Sequence, residues 1–102
     1  MDDATTAAVA RALAHPARLH ILRLLAAQTE CRGADVFSEL PLAQSTISEH
    51  LRVLKDAGLV VSRAYGTSML YCLVPDVLDT FVADVLVMTQ SAVACGPDAK
   101  GC

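Results

Sequence analysis

An amphipathic stretch from Pro41 to Val61, PLAQSTISEHLRVLKDAGLVV, constrains the fold of this chain more than any other. Its large apolar residues recur at helical spacing and predict one buried stripe along a helix. That stripe consists of Ile47, Leu51 and Leu54. Gly58 favours the left-handed conformation that ends many helices, and the β-branched run from Leu59 to Ser62 predicts a strand. The stretch therefore predicts a helix, a tight stop and a strand in immediate succession.

The opposite face of this predicted helix is polar and suits the major groove of DNA. Short hydrogen-bonding side chains near a helix start are suited to binding phosphates and base edges. The candidate DNA contacts on this helix are Gln44, Ser45, Thr46, Ser48, Glu49, His50, Arg52 and Lys55. An ordinary solvated helix face carries similar residues, so the pattern alone leaves both interpretations open.

Three successive segments between about Leu13 and Val74 together resemble a known family. They read ALAHPARLHILRLL, then ADVFSELPLAQSTISEHLRVLKDAGLV, then SRAYGTSMLYCLV. Their order, the proline that opens the second helix, the QSTIS-x-HL signature and the AGLV exit are similar to the ArsR/SmtB family of bacterial winged-helix repressors. The resemblance implies a homodimeric repressor that leaves its operator when a ligand binds. It also implies a mainly α fold with a β-hairpin wing, comprising five helices and two strands.

In this family the helix predicted within Pro41 to Val61 is the recognition helix. The helices that precede it are predicted from local signals. Thr5 or Thr6 can cap a first helix that runs to about His15, and Pro16 fits the first position of a second helix. A short third helix is predicted from Gly33 to Leu40, since Pro41 disfavours helical geometry just before it.

Two patterns disagree about where the recognition helix begins. The capping-box spacing of Thr46 and Glu49 predicts a start near Ile47. The family pattern instead implies a start near Ala43 or Gln44. We follow the family pattern.

A hairpin follows the recognition helix. Two β-rich runs, Val60 to Ala64 and Met69 to Val74, flank a turn that contains Gly66. Arg63 and Tyr65 lie near its tip and could touch the DNA backbone or minor groove, as a wing does. A plain hairpin without a binding role is the alternative.

The final helix carries more apolar residues than a small domain readily buries. It is predicted to start at Pro75, with Asp76 as its cap. Its apolar residues are Val77, Leu78, Phe81, Val82, Val85, Leu86 and Met88. Because a chain of 102 residues with 54% hydrophobic content buries little surface alone, we expect a homodimer seam here. The resemblance adds the first helix to that seam, and a two-fold axis would match an inverted repeat in double-stranded operator DNA.

The net charge of the chain and its expected cellular compartment limit the possible functions further. The net charge of −3 argues mildly against nucleic-acid binding, although the local field at the contact face matters more than the total. The acidic start and the interruption of the last apolar run by Asp79 and Asp84 predict a cytoplasmic protein. Since thiols stay reduced there, the four cysteines are not expected to form structural disulfides.

Two ligand sites of the family are incomplete in this sequence. The family's zinc site needs histidines on the last helix, and no histidine follows His50. The family's arsenic motif has two cysteines one residue apart, whereas the matching segment ECRGADVF has Cys31 alone. Any thiol site must therefore be built differently.

The leading ligand residues are Cys95 and Cys102, with Cys31 as a third. We divide the chain into a DNA-binding and dimerisation domain, residues 1–94, and a flexible tail, residues 95–102, rich in glycine. Soft thiolates select thiophilic ions, and the resemblance makes trivalent arsenic, as arsenite or methylarsenite, the expected inducer, with antimonite or another thiophilic ion as alternatives.

Other interpretations remain at this point. Cys72 on a predicted strand is expected to be a small core residue. An oxidant or reactive sulfur could link two thiols and replace the metalloid as the signal. A winged-helix scaffold could also serve as a protein-interaction adaptor. An enzyme is not expected, because no nucleophile, base and orienting acid occur in a recognisable arrangement.

Overall fold

The computed structural model describes residues 1–27, 31 and 38–92, which form four helices and one two-stranded sheet. In chain order these are α1 (Asp3–Leu13), α2 (Pro16–Ala26), α3 (Gln44–Asp56), β1 (Val60–Tyr65), β2 (Ser68–Leu73) and α4 (Pro75–Ser91). The mainly helical fold with a hairpin wing is confirmed. Four helices are described where five were predicted, because the helix expected from Gly33 to Leu40 falls mostly outside the described residues.

The start of α1 differs from the prediction. The carboxylate of Asp2 accepts a hydrogen bond from the backbone N–H of Thr5 at 2.8 Å, so Asp2 is the N-cap in place of Thr5 or Thr6. Hydrogen bonding from the side chain of Thr5, together with that from its backbone N–H, lowers the pKa of Asp2. The helix ends at Leu13 because His15 already belongs to the next helix as its N-cap.

The predicted opening of α2 is confirmed. Pro16 occupies the first helical turn, where backbone N–H groups have no partner within the helix. Its missing N–H therefore costs no hydrogen bond. The backbone N–H of Ala17 donates to Nδ1 of His15 at 3.0 Å. His15 therefore uses one ring nitrogen to hold the junction between α1 and α2.

The recognition helix α3 begins where the family pattern placed it. Ala43 is the N-cap residue and has no side-chain capping bond. Its carbonyl oxygen accepts from the backbone N–H groups of Thr46 and Ile47 at 3.0 and 3.1 Å. The start near Ile47 that the capping-box spacing suggested is therefore wrong.

The exit of α3 is a Schellman motif. Gly58 has φ +80°, and its N–H donates to the carbonyl of Lys55 at 2.9 Å. The N–H of Leu59 donates to the carbonyl of Leu54 at 3.0 Å, so two carbonyls at the helix end are satisfied. Because the turn is this tight, Leu59 and Val60 enter the core directly after the helix.

The core lies where α1, α2, α3 and the base of the wing meet. Three residues of α3, Ile47, Leu51 and Leu54, are 0–2% exposed, as predicted from their spacing. The other buried apolar residues are Val9, Ala12, Ile21, Leu22, Leu25, Leu40, Leu59 and Val60. One face of the recognition helix is thereby held against the rest of the domain.

The wing is a regular antiparallel hairpin. Its register runs from Val60 opposite Leu73 to Tyr65 opposite Ser68, with two residues in the turn. Gly66 occupies the first turn position with φ +61°. The predicted strands are confirmed to within one residue at each end.

The helix α4 shows two apolar surfaces instead of one. Val77, Leu78 and Phe81 pack against the core. A second group remains exposed and consists of Val82, Val85, Leu86, Val87 and Met88. Asp76 lies in the first turn, whereas Val74 holds the cap position without a side-chain bond, so the predicted cap is wrong. Among the described helices, none combines the length and hydropathy that a membrane span requires.

We predict that Gly58→Ala lowers the free energy of unfolding by about 1–2 kcal/mol. An added Cβ would lie 3.7 Å from Cγ2 of Val77, an ordinary contact, so the cost arises from the positive φ and not from a clash. Chemical denaturation at one fixed protein concentration measures it. Gly58→Asn is the control, since Asn tolerates this conformation better. Equal stability of the wild type and the alanine variant would contradict the prediction.

Candidate nucleic-acid interface

The polar face of α3 is exposed along its length. Of the eight side chains predicted to contact DNA from this helix, all except His50 are exposed. The buried stripe sets this orientation, because any rotation of α3 about its axis would bring Ile47 or Leu54 into water. The helix therefore presents a fixed row of hydrogen-bonding groups at its outer surface.

The guanidinium of Arg52 is held by two acidic neighbours on the same helix. Its Nε donates to Oε2 of Glu49 at 3.0 Å, and its Nη1 donates to Oδ2 of Asp56 at 3.0 Å. A further contact joins Nη2 to Oε1 of Glu49. These interactions lower the pKa of Glu49 and raise that of Arg52. The side chains are 59–67% exposed, so water screens the pairs and phosphate can compete for the arginine.

His50 lies on the inner edge of this face, in a cluster with two residues of the α1–α2 junction. Its ring centroid is 4.4 Å from that of His15, and Nη1 of Arg18 lies 3.4 Å from its Nδ1. Partial burial, together with His15 and Arg18, lowers the pKa of His50, while Glu49 opposes the shift. The neutral imidazole is therefore favoured in the folded protein. Its contact with DNA remains a prediction.

Arg18 is a positioning residue that the sequence analysis did not single out. Its Nε donates to the carbonyl of Ala12 at 2.7 Å, and its Nη2 donates to the carbonyl of Arg11 at 3.1 Å. These carbonyls end α1, so the cation stabilises that helix terminus while its Nη1 faces His50. The only sequence feature that could have indicated this role is the position of Arg18 two residues after Pro16, which opens α2.

The wing adds a second exposed surface. Val61, Arg63 and Tyr65 alternate along β1 and therefore share one face of the hairpin. All three are exposed, and Tyr65 at the tip reaches 73%. Both predicted wing contacts are thus available to a partner molecule.

Two of the four cysteines are joined. Cys31 and Cys72 form a disulfide with their Cα atoms 4.6 Å apart, across 41 positions of sequence. The expectation that Cys72 would simply fill the core is wrong, because its sulfur is bonded to Cys31. The hairpin register places Cys72 opposite Val61, and Cys31 reaches it from the connection after α2.

The remaining predicted ligand residues, Cys95 and Cys102, lie outside the described residues. Cys31, proposed as their third partner, has its sulfur bonded to Cys72 in this structure. Within residues 1–27, 31 and 38–92, no three metal-ligating side chains cluster closely enough to hold an ion.

We predict that stability falls as the pH is lowered from about 7.5 towards 5.5, with His50 as one cause. Its pKa in the folded state lies below the ordinary 6.5, so the unfolded chain binds more protons in this range. The contribution is full above the unfolded pKa and is lost as the pH falls towards the folded pKa. Urea unfolding at several pH values should show a shallower dependence for His50→Gln. His20→Gln, at an exposed position of α2, should keep the wild-type dependence. An unchanged slope for His50→Gln would contradict the assignment.

Comparisons with known proteins agree with this geometry. Residues 15–62 match the family model described as "Bacterial regulatory protein, arsR family". An uncharacterized HTH-type transcriptional regulator of Mycobacterium tuberculosis is 35% identical over 85 residues, covering 82% of this chain and 70% of that protein. An arsenical resistance operon repressor of Staphylococcus xylosus is 30% identical over 87 residues, covering 85% and 83%.

A solved structure is similar over nearly the whole chain. It is the solution structure of a homodimeric winged helix-turn-helix DNA-binding domain from Mycobacterium bovis, a possible ArsR-family transcriptional regulator. The TM-score is 0.67 at 30% identity, covering 91% of this chain and 92% of that one. Family, relatives and fold agree: this chain belongs to the ArsR family of transcriptional repressors, which are DNA-binding regulators and not enzymes.

Proposed function

We propose that this chain is a cytoplasmic homodimeric repressor that binds an inverted-repeat operator when empty and is released by trivalent arsenic bound to cysteine thiolates. The observation that carries the proposal is the exposed polar face of α3 beside the exposed face of the wing.

The proposed DNA contacts divide between two elements. α3 enters the major groove with its first turns, where Gln44, Ser45 and Thr46 offer short donors and acceptors to base edges. Arg63 and Tyr65 on the wing contact the adjacent backbone or minor groove. Because α3 carries Glu49 and Asp56 against Arg52 and Lys55, its formal charges cancel. Hydrogen bonding to bases therefore has to contribute much of the affinity.

The proposed dimer seam combines α1 with the outer surface of α4. The hydroxyl of Thr6 donates to Oδ2 of Asp84 at 3.0 Å, which holds the two helices side by side. Val82 and Leu86 on α4 are 58% and 49% exposed. Association of two chains would remove this apolar surface from water. The similar domain of Mycobacterium bovis is homodimeric. A two-fold axis through this seam would place two recognition helices one helical turn of DNA, about 34–36 Å, apart.

The proposed ligand site lies in the tail, residues 95–102, after α4. Cys95 and Cys102 supply two thiolates, and thiolates select soft ions. The relative from Staphylococcus xylosus is an arsenical resistance operon repressor, which supports a metalloid. A ligand bound beside the dimer helix could favour a subunit angle that no longer matches two grooves. Cys31 could join this site only after its bond to Cys72 is reduced.

A second candidate has a specific observation in its favour. The disulfide between Cys31 and Cys72 supports a repressor of the same fold that responds to thiol oxidation or reactive sulfur. The two signals need not exclude each other, since they use different cysteines.

We predict that Glu49→Gln tightens operator binding by about two- to tenfold at low salt, because it removes one negative charge at the DNA face and releases Arg52 towards phosphate. Fluorescence anisotropy on an operator fragment measures the affinity. The matched control is Asp3→Asn, which makes the same charge change at the exposed start of α1. A similar gain in both variants would show that only net charge matters.

The ligand is tested on the reduced protein bound to a labelled fragment from upstream of its own gene. The titrants are arsenite, methylarsenite, antimonite, cadmium and a persulfide donor. We expect release by a trivalent arsenic species, with the response lost in the double variant Cys95→Ser, Cys102→Ser. An equal response of that variant would overturn the tail site, while failure of the reduced protein to bind any operator fragment would overturn the operator claim itself.

A further inference from the structure

We propose that a pocket between α2, the base of the wing and the start of α4 binds a small carboxylate ligand with an apolar body. The pocket has a volume of about 220 Å³ and opens to solvent. The proposal depends neither on operator binding nor on the thiols of the tail. It adds a second ligand site that is separate from both.

The walls of the pocket are apolar. They come from the end of α1, from α2, from the last residue of β2 and from the start of α4, and consist of Leu13, Leu19, Leu22, Ala26, Leu73 and Leu78. All of these except Leu22 keep part of their surface in water. Because apolar walls offer water no hydrogen bonds, a ligand with an apolar body that displaces this water gains free energy.

The volume of the pocket limits the size of the ligand. An engineered apolar cavity of about 150 Å³ in another protein holds one benzene molecule. The pocket of about 220 Å³ therefore has room for one aromatic ring or a short alkyl chain, together with a small polar group. It lies below the range of about 300–1,000 Å³ that is typical for larger ligands.

The charge at the pocket selects an anionic group. Of the described residues that line it, only Arg23 carries a charge. Its side chain is exposed, and within the described part of the chain no carboxylate pairs with it. A guanidinium group presents a planar fork of N–H donors that matches the two oxygens of a carboxylate. A ligand with its apolar body between the leucines can therefore place a carboxylate against Arg23.

A second hollow, between α1 and α3, lacks this arrangement. Its volume is about 200 Å³, and its charged lining residues are Arg11, Arg52 and Asp56. There Oδ2 of Asp56 already accepts a hydrogen bond from Nη1 of Arg52 at 3.0 Å. The negative charge of Asp56 opposes an anionic ligand in that hollow. The pocket beside Arg23 has no acidic residue among its described lining residues.

Benzoate and hexanoate test the site, each compared with its neutral amide of nearly the same shape. Isothermal titration calorimetry on the full chain measures the Kd. We expect a Kd of about 0.1–1 mM for benzoate, at least about threefold tighter than for benzamide. Spectra of the protein labelled at the leucine methyl groups locate the ligand. The signals of Leu19, Leu73 and Leu78 should shift, whereas that of Leu51 in the core should not.

Two variants separate the charge from the apolar wall. Arg23→Gln should remove the preference for benzoate over benzamide and leave the affinity for benzamide unchanged. Arg11→Gln makes the same charge change beside the other hollow and should keep the wild-type preference. Leu19→Gln makes the wall polar and should weaken both ligands by at least about threefold. Circular dichroism checks that each variant is folded.

Three results would overturn the site. They are the absence of saturable binding below about 10 mM, methyl shifts confined to leucines elsewhere, and a preference for benzoate that persists in Arg23→Gln. Sedimentation velocity at the concentration of the titration reports the oligomeric state. Absence of binding by a dimer would assign the pocket to a second copy of the chain instead of a small ligand.

Discussion

Burial of one face of α3 is the interaction on which the rest of this structure depends. Ile47 and Leu54 are completely buried among residues of α1, α2 and the base of the wing. Removing such a side chain typically costs about 2–5 kcal/mol, whereas an exposed ion pair contributes about 1 kcal/mol or less. The orientation of the helix is therefore set by the core. The ion pairs of Arg52 follow from that orientation and do not determine it.

The disulfide between Cys31 and Cys72 makes a contribution of comparable size to the free energy of unfolding. Closing a ring of this length in the unfolded chain corresponds to about 4 kcal/mol in the chain-entropy model, against a typical total stability of about 5–15 kcal/mol for a small domain. Formation of the bond between Cys31 and Cys72 would thus stabilise the folded state about as much as one large core side chain. The ring contains α3 and β1, so the bond constrains both proposed DNA-contacting elements.

The sequence predicted most reliably the features that depend on neighbouring residues. Gly58 ends α3 as expected, because a left-handed residue followed by a β-branched run has few other solutions. Caps were predicted less well. Asp2 and not Thr5 caps α1, where several nearby polar residues can satisfy the same backbone group. Asp76 does not cap α4, because the helix already begins at Pro75 and no side chain caps it.

Helical spacing and strand alternation are local properties, so the amino-acid pattern alone predicted the described helices, both strands and the outward face of α3. The resemblance carried by its motifs also pointed to the correct family. Tertiary packing, in contrast, determines which residues distant in sequence come into contact. It brought His50 beside His15 and Arg18, and it joined Cys31 to Cys72 across 41 positions. Such contacts depend on how helices and strands pack in three dimensions, and no local pattern records that packing.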